Sequence, residues 1–288
     1  EDTEYAQIIK TTSRTTGSNM TNQLWIKSYS DSSGNIIGYQ TIDQRTAEYE
    51  HSLAICGALW VGRNASNSVF TQGNTEPNKQ TEGLLPYLER RGTTLNYASG
   101  GFSVGMFDQF DAIFTKNYAD SYIQGYLGRE LSNEKDNVFK SYFQNNSMNV
   151  YEDAKTVSDV FGNDAGLAMS VNFTQFKKGS RTYLMSNVPE WNHPTFLGLP
   201  GMRFGGLGVF TPLGKKKDTK TGAMLPFFGM GYKELGGYSR LAEVWATSGA
   251  GSEAMKVITQ DYQQINHRSH IMACHVGGNQ GIVLNRVN

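Results

Sequence analysis

Charge of either sign is scarce in this sequence, and what there is cancels. The 288 residues carry 26 Lys and Arg against 26 Asp and Glu, and charged residues make up 18%, below the roughly 25% usual for globular domains. A free nucleic-acid binder would show a basic excess, so the balance argues against one. Cysteine is nearly absent. Cys56 and Cys274 lie far apart and make no disulfide or zinc framework, which fits a reducing compartment. The glycosylation sequons at Asn64, Asn145 and Asn172 then read as chance matches. Long apolar runs are lacking too. The longest, residues 53–61, falls short of the ~20 residues a bilayer span needs, so no membrane is expected. No charged stretch followed by an apolar one opens the chain, so no signal peptide is expected. The opening Glu1, where a Met would stand, leads to the expectation of a processed chain or an omitted start.

Glycine is plentiful and proline sparse, at 32 and 7 residues. With 38% hydrophobic and 12% aromatic residues, the chain buries a core, which excludes wholesale disorder. The length allows one large domain or two small ones.

Residues 1–22 are polar and aperiodic and read as an extended arm without a core of its own. A hairpin signal follows over 24–42: two apolar, aromatic stretches flank the turn cluster Asp31-Ser32-Ser33-Gly34. Two strands alone are marginal in water. Trp25, Tyr29, Ile37 and Tyr39 therefore need a partner surface, either a neighbouring molecule or the chain's own next helix, with Trp25 against Tyr49 or Trp60. That helix is predicted from an N-cap at Asp43 to Gly62, with Tyr49, Leu53, Cys56 and Trp60 recurring at helical spacing. Residues 63–82 read as loop, and a mainly helical region runs on to about 165. It holds an amphipathic segment at 83–91, a helix at 106–117 with Phe107, Phe110 and Phe114 on one face, and a helix at 132–144. From 166 the pattern turns to strand: 169–176 and 182–186 around a Lys178-Gly179 turn, then Gly- and Pro-rich loops over 193–220. Residues 240–260 read as helix or loop. A closing strand pair is expected at 270–276 and 281–284 around Gly277-Gly278-Asn279. No repeat of 20–50 residues is present. Regular strand–helix alternation is not evident, which argues against a doubly wound sheet or a TIM barrel.

Few residues offer chemistry. Gly101-Phe-Ser103-Val-Gly105 matches the nucleophile elbow of hydrolases, with Asp261 and His267 downstream in the right order. The residues before it form a weak strand, and with so many glycines such a match arises by chance. Ser132-x-x-Lys135, Ser147-x-Asn149 and Lys220-Thr-Gly222 mimic the penicillin-binding signature, but Ser132 reads as the N-cap of a charged helix start and Lys220 as part of a solvated run. His267-x-x-His270 with Cys274 and His275 falls on a strand that splits them between two faces, so hydrogen-bonded histidines are expected and no metal. No nucleotide-binding glycine motif is found, and no cofactor is expected. Lys215-Lys216-Lys217 is the dense basic run. It reads as a solvated loop tip or, more sharply, as a contact to acidic neighbours or to nucleic-acid phosphates.

Taken in order, these elements resemble the HK97-type major capsid protein of tailed double-stranded DNA bacteriophages. Residues 1–22 are similar to that family's N-terminal arm and 23–42 to its extended loop, although the loop is short here. Residues 43–82 resemble the spine helix and following loop of the peripheral domain, 83–165 mainly the axial domain, and 166–288 the peripheral strands and returning segments. The phrase His275-Val-Gly-Gly-Asn-Gln280 is similar to one in the family's closing strands. The resemblance implies an α+β fold and a non-enzymatic subunit that self-assembles, as hexamers and pentamers, into the icosahedral head around the genome. Portal and decoration proteins would be partners, and packaged DNA would be touched without sequence specificity. The place would be the virion capsid, assembled in the host cytoplasm. It further implies subunit contacts, for which Trp25, Tyr29, Ile37, Tyr39, Lys215, Lys216 and Lys217 are the candidates. An encapsulin-like shell has the same fold and stands as the alternative, beside a serine hydrolase built on Ser103. A β-rich glycan-binding module would show more strands and clustered Trp, whereas the 4 Trp are scattered.

Overall fold

The computed structural model of the chain describes residues 5–16, 18, 39–67, 78–145, 175–197, 204–217, 222, 224–248, 255–256 and 261–287. In chain order, strand β1 (Gln7–Thr16) comes first, then helix α1 (Tyr39–Val61), β2 (Ala65–Asn67), β3 (Asn78–Gln80) and α2 (Leu84–Arg91). Next come β4 (Thr93–Ala98), α3 (Met106–Lys116), β5 (Tyr122–Leu127) and α4 (Arg129–Asn145). After β6 (Gln175–Lys178) and β7 (Arg181–Asn187) stand a short helix α5 (Pro194–Leu197), β8 (Gly208–Pro212), β9 (Lys215–Lys217) and β10 (Met224–Pro226). The chain ends with β11 (Phe228–Tyr232), β12 (Glu234–Leu235), β13 (Tyr238–Ser239), β14 (Glu243–Ser248), β15 (Met255–Lys256), β16 (Tyr262–His275) and β17 (Ile282–Val287). Two compact units emerge. One comprises Glu1–Pro86 and Phe228–Cys274, the other Tyr87–Phe227 and His275–Asn288. These divisions replace a single change of texture near residue 165.

In the first unit the long strand β16 organises a five-stranded sheet. Along one edge β1 pairs antiparallel with it through all ten residues, from Gln7 opposite Ile271 to Thr16 opposite Tyr262. On the other edge β14 pairs antiparallel from Glu243 opposite Arg268 to Ser248 opposite Gln263, and β11 also joins β16. The polar arm is thus a sheet strand over residues 7–16: its backbone hydrogen bonds, not a core of its own, hold it. Alternation sends Ile9, Thr11, Ser13 and Thr15 to one face, and there Ile9 and Ile271 are buried with Ala58 of α1, flanked by Ile55, Leu59 and Leu241. Burying one such Ile contributes about 1.5–3 kcal/mol. Gly62 ends α1 where a side chain has no room, since a Cβ would stand 2.4 Å from the Ala58 carbonyl oxygen and 2.6 Å from that of Thr81.

Two expectations fail in this unit. α1 begins at Tyr39, directly after Gly38, and Asp43 lies inside it. Residues 39–42 contain no Gly or Pro to break the helix, so Tyr39 is helical and not part of a hairpin strand. Residues 243–248, expected as helix or loop, form β14, as Val, Trp and Thr favour. Trp25, Tyr29 and Ile37, the rest of the expected hairpin, lie outside the described residues.

The second unit is built on a six-stranded mixed sheet in the order β4-β17-β8-β5-β7-β6. β4 runs parallel to β17 and β5 parallel to β7, while β17/β8, β8/β5 and β7/β6 are antiparallel. The Phe107, Phe110 and Phe114 face of α3 packs into its core, fully buried with Ile123, Leu131, Phe139, Tyr183, Phe210 and Leu284. The β6–β7 turn falls at Gly179, with φ of 61°, as the Lys178-Gly179 pair predicts. Arg181, buried at the start of β7, donates to the Asp111 carboxylate and to Thr115 Oγ1 on α3. This ties helix to sheet beside the phenylalanine face.

Here too the structure corrects the reading. β4 and β5 cross the region expected to be helical, and with α3 and α4 they do alternate strand and helix. The sheet they enter is mixed, not doubly wound. β8, within the expected loops, is buried at all five residues. β16 and β17 do not pair: Gly277, with φ of 76°, and the short turn Gly278–Gln280 deliver β17 between β4 and β8 in the other sheet. Ser132 is inside α4, its N–H bonded to Gly128 O, and does not cap the helix.

Candidate assembly surfaces

Of the residues singled out for contacts, the structure describes Tyr39 and the three lysines. Tyr39 is the first residue of α1. Lys215, Lys216 and Lys217 are not a loop tip. They form β9, paired antiparallel with Met224, Leu225 and Pro226 of β10, and Lys215 is exposed.

The most exposed apolar groups of the first unit lie elsewhere, on a small hairpin that the sequence reading missed. β12 and β13 pair Glu234 with Ser239 and Leu235 with Tyr238 across Gly236 and Gly237, whose φ values are 59° and 82°. Positive φ at both central residues is the signature of a two-residue type I′ turn, and the Gly-Gly pair was the visible signal. The hairpin leaves the sheet at His270, whose backbone donates to Arg240 O (2.8 Å) and accepts from Lys233 N (3.2 Å). Leu235 at the tip is 83% exposed, its partner Tyr238 is exposed too, and so are Val244 and Trp245 on β14.

A charged knot holds the base of this hairpin. The Glu243 carboxylate accepts from Arg268 Nε and from Tyr238 Oη, with Arg240 Nε 3.4 Å away. Arg268 and then Tyr238 hold its pKa down at about 2, and the same hydrogen bond raises the phenol's. The Arg268 guanidinium also lies 5.0 Å over the Trp245 ring, a cation–π geometry. The hairpin is therefore presented on a fixed base.

In the second unit the exposed apolar groups gather around Tyr118, 88% exposed just past α3. Its φ is 52°, the one positive value among the described non-glycine residues. The Gln280 side-chain amide donates to Asn117 O (2.7 Å) and Tyr118 O (3.2 Å) and supports this bend. Tyr122 and Leu213 are exposed nearby, linked by Leu213 N to Tyr122 O at 3.0 Å. Strained, exposed aromatics are a pattern of contact surfaces.

The residues weighed for catalysis are divided between the two units or lie outside the described residues. Ser103 is exposed in the short stretch from β4 to α3, without the positive φ of a strained elbow. β4 lies at the sheet edge, and Asp261 and His267 belong to the other unit. Lys135, in the stretch expected as a charged helix start, is buried at 2% exposed, while Ser147, Asn149 and Lys220 lie outside the described residues. His267 and His270 point to opposite faces of β16, as its alternating burial shows. Among the described residues no three His, Cys, Asp or Glu are grouped to hold a metal, and no helix is long and apolar enough to cross a membrane.

The sequence matches no family model and no curated protein. Its fold does have counterparts among solved structures. A chain of Microbacterium phage Oxtober96 aligns over 99% of this chain and 73% of its own at 10% identity, with a TM-score of 0.52. The satellite phage P4 procapsid including size determination (Sid) protein aligns at 10% identity over 97% of this chain and 75% of that one, with a TM-score of 0.45. The holo-SrpI encapsulin complex of Synechococcus elongatus PCC 7942 aligns at 9% identity over 97% and 73%, also at 0.45. The chain is α+β and has the HK97-like capsid fold.

Proposed function

We propose that this chain is a major capsid protein: the non-enzymatic, repeating subunit of an icosahedral shell around a double-stranded DNA genome. The observation that carries the reading is the fold shared over 99% of the chain with a phage chain at 10% identity. We assign the unit holding β1, α1 and β16 to the peripheral domain and the unit holding the mixed sheet to the axial domain, which moves β6 to β10 and β17 out of the peripheral assignment expected from the sequence. Hexamers and pentamers of this chain are its first partners, with portal and decoration proteins at the shell and DNA touched without sequence preference. It resides in the virion and assembles in the host cytoplasm. Trp25, Tyr29 and Ile37, with Tyr39 at the head of α1, reach a neighbouring subunit. Lys215, Lys216 and Lys217 contribute contacts at its rim.

Apolar side chains left exposed on a rigid hairpin and on a strained bend are a liability on a lone molecule and an asset in a symmetric lattice. Negative-stain microscopy of the purified protein tests the proposal: closed particles of uniform size are the expected result. Monodisperse monomers with a hydrolase activity lost in Ser103→Ala would overturn it.

A further inference from the structure

We propose that His51 and His267 form an acid-sensitive latch between helix α1 and strands β1 and β16, closed while the His51 imidazole is neutral and opened by its protonation. His51 stands midway along α1 and is 7% exposed, and His267 on β16 is 5% exposed. Their ring centres are 5.7 Å apart. His51 reaches both strands at once: its Nδ1 is 3.0 Å from Thr11 Oγ1 on β1, and its Nε2 is 2.8 Å from Ser269 Oγ on β16. Ser269 is fully buried. One side chain thus joins three elements.

Hydrogen bonding does not choose the charge state, because a hydroxyl can donate to or accept from either ring nitrogen. Burial and the second imidazole choose it. Removal from water disfavours an imidazolium, and a second positive charge less than 6 Å away opposes it further. Both effects lower the His51 pKa, burial first. His267 Nε2 has no hydrogen-bond partner among the described residues.

Among the described residues of α1, β1, β14 and β16, no carboxylate faces the pair to compensate. On β1, alternation puts Lys10 and Arg14 on the far face of the sheet from Thr11, where Arg14 bonds Gln264. On β16, Arg268 and His270 lie on that far face, and Arg268 is engaged by Glu243 of β14. Val244, opposite His267 on β14, is apolar. On α1 the nearest charges, Arg45, Glu48 and Glu50, are exposed. Among the described residues, the near face of β1 and β16 offers uncharged groups beside the two imidazoles.

The sign follows. The latch keeps its full strength above the ordinary imidazole pKa of about 6.5 and loses it as pH falls toward the lower folded value, by up to ~tenfold in the opening equilibrium per pH unit for one proton. The test is amide hydrogen exchange on the full chain between pH 7.5 and 5, corrected for intrinsic rates, with α3 as internal reference. Protection over β1 and over 47–58 of α1 should fall below pH 6.5 relative to α3, and His51→Gln with His267→Gln should flatten that response. Protection in β1 that tracks α3 at every pH overturns the proposal, as does a double variant that keeps the acid response. If the variant folds poorly, imidazole proton NMR of the unsubstituted protein decides: titration of the His51 ring at or above the ordinary pKa overturns it. The measurement concerns contacts within one chain, so it stands or falls separately from the shell.

Discussion

Phe107 and Tyr183 meet edge to face, with ring centres 4.9 Å apart and planes at 73°, and both side chains are fully buried. The pair locks α3 onto β7, and Phe110 and Phe139 close around it at 5.4 and 6.0 Å from Phe107. Removing the ring leaves a cavity whose walls are other rings that cannot collapse into it. Phe107→Ala should therefore cost about 3–5 kcal/mol, read as a shift in the denaturant midpoint. Phe107→Leu, which refills most of the volume, should cost much less. Equal losses would mean that the aromatic geometry, not volume, carries the site.

The tip of the small hairpin tests backbone conformation in isolation. A Cβ at Gly237 would meet no atom within 4 Å, so a side chain there faces only the strain of φ at 82°. Gly237→Val should destabilise by about 1–2 kcal/mol, while Gly236→Asn, at φ of 59°, should be nearly neutral, because Asn tolerates that region. Melting of the two variants side by side gives the comparison. A neutral Gly237→Val would show that the turn is not of the type described.

At the hairpin base the prediction is one of pH. Glu243 has its pKa lowered to about 2, so its contribution is present in full above the ordinary carboxylate range and disappears as pH falls toward 2. Trp245 sits under Arg268 and reports on the knot. Its fluorescence should be constant from pH 7 to 5 and change below, with a midpoint well under 4. Arg268→Gln removes the first cause of the shift and should move that midpoint up toward the ordinary value. A midpoint unmoved by the substitution would assign the change to another group.

How much of this was legible depended on whether the signal was local. The α3 face was, because Phe107, Phe110 and Phe114 recur at helical spacing and no alternative pattern competes. The β6–β7 hairpin was, through Lys178-Gly179. β4 and β5 were not, although both alternate in burial: their inward residues include Thr93 and Gly125, which carry no apolar signal. The polar strand β1 was unreadable for a different reason. Its Thr, Ser and Arg residues are held by backbone pairing to β16, some 250 residues away in the chain, and pairing at that distance leaves no mark on either segment. The Leu235–Tyr238 hairpin carried its turn signature openly in Gly236-Gly237. Its strands are two residues each, too short to show an alternating pattern.

Leu235 offers the sharpest separation between a lone molecule and a lattice. The side chain is 83% exposed, so Leu235→Ser removes no internal packing, and the variant's melting should match the parent within about 0.5 kcal/mol. If a second copy covers this tip in the shell, the same substitution strips an apolar anchor from a contact that every subunit repeats. Truncating a buried anchor at the centre of an interface commonly costs about 2 kcal/mol or more, and a lattice multiplies that loss. Unchanged melting together with fewer or more fragile particles, scored by sedimentation and microscopy, is the expected result. A variant that assembles as well as the parent would place the tip at the outer surface, free of neighbours. Tyr238→Phe serves as the control: it keeps the ring for any contact and removes only the hydroxyl that donates to Glu243. It should therefore assemble normally while the acid response of the hairpin base shifts upward.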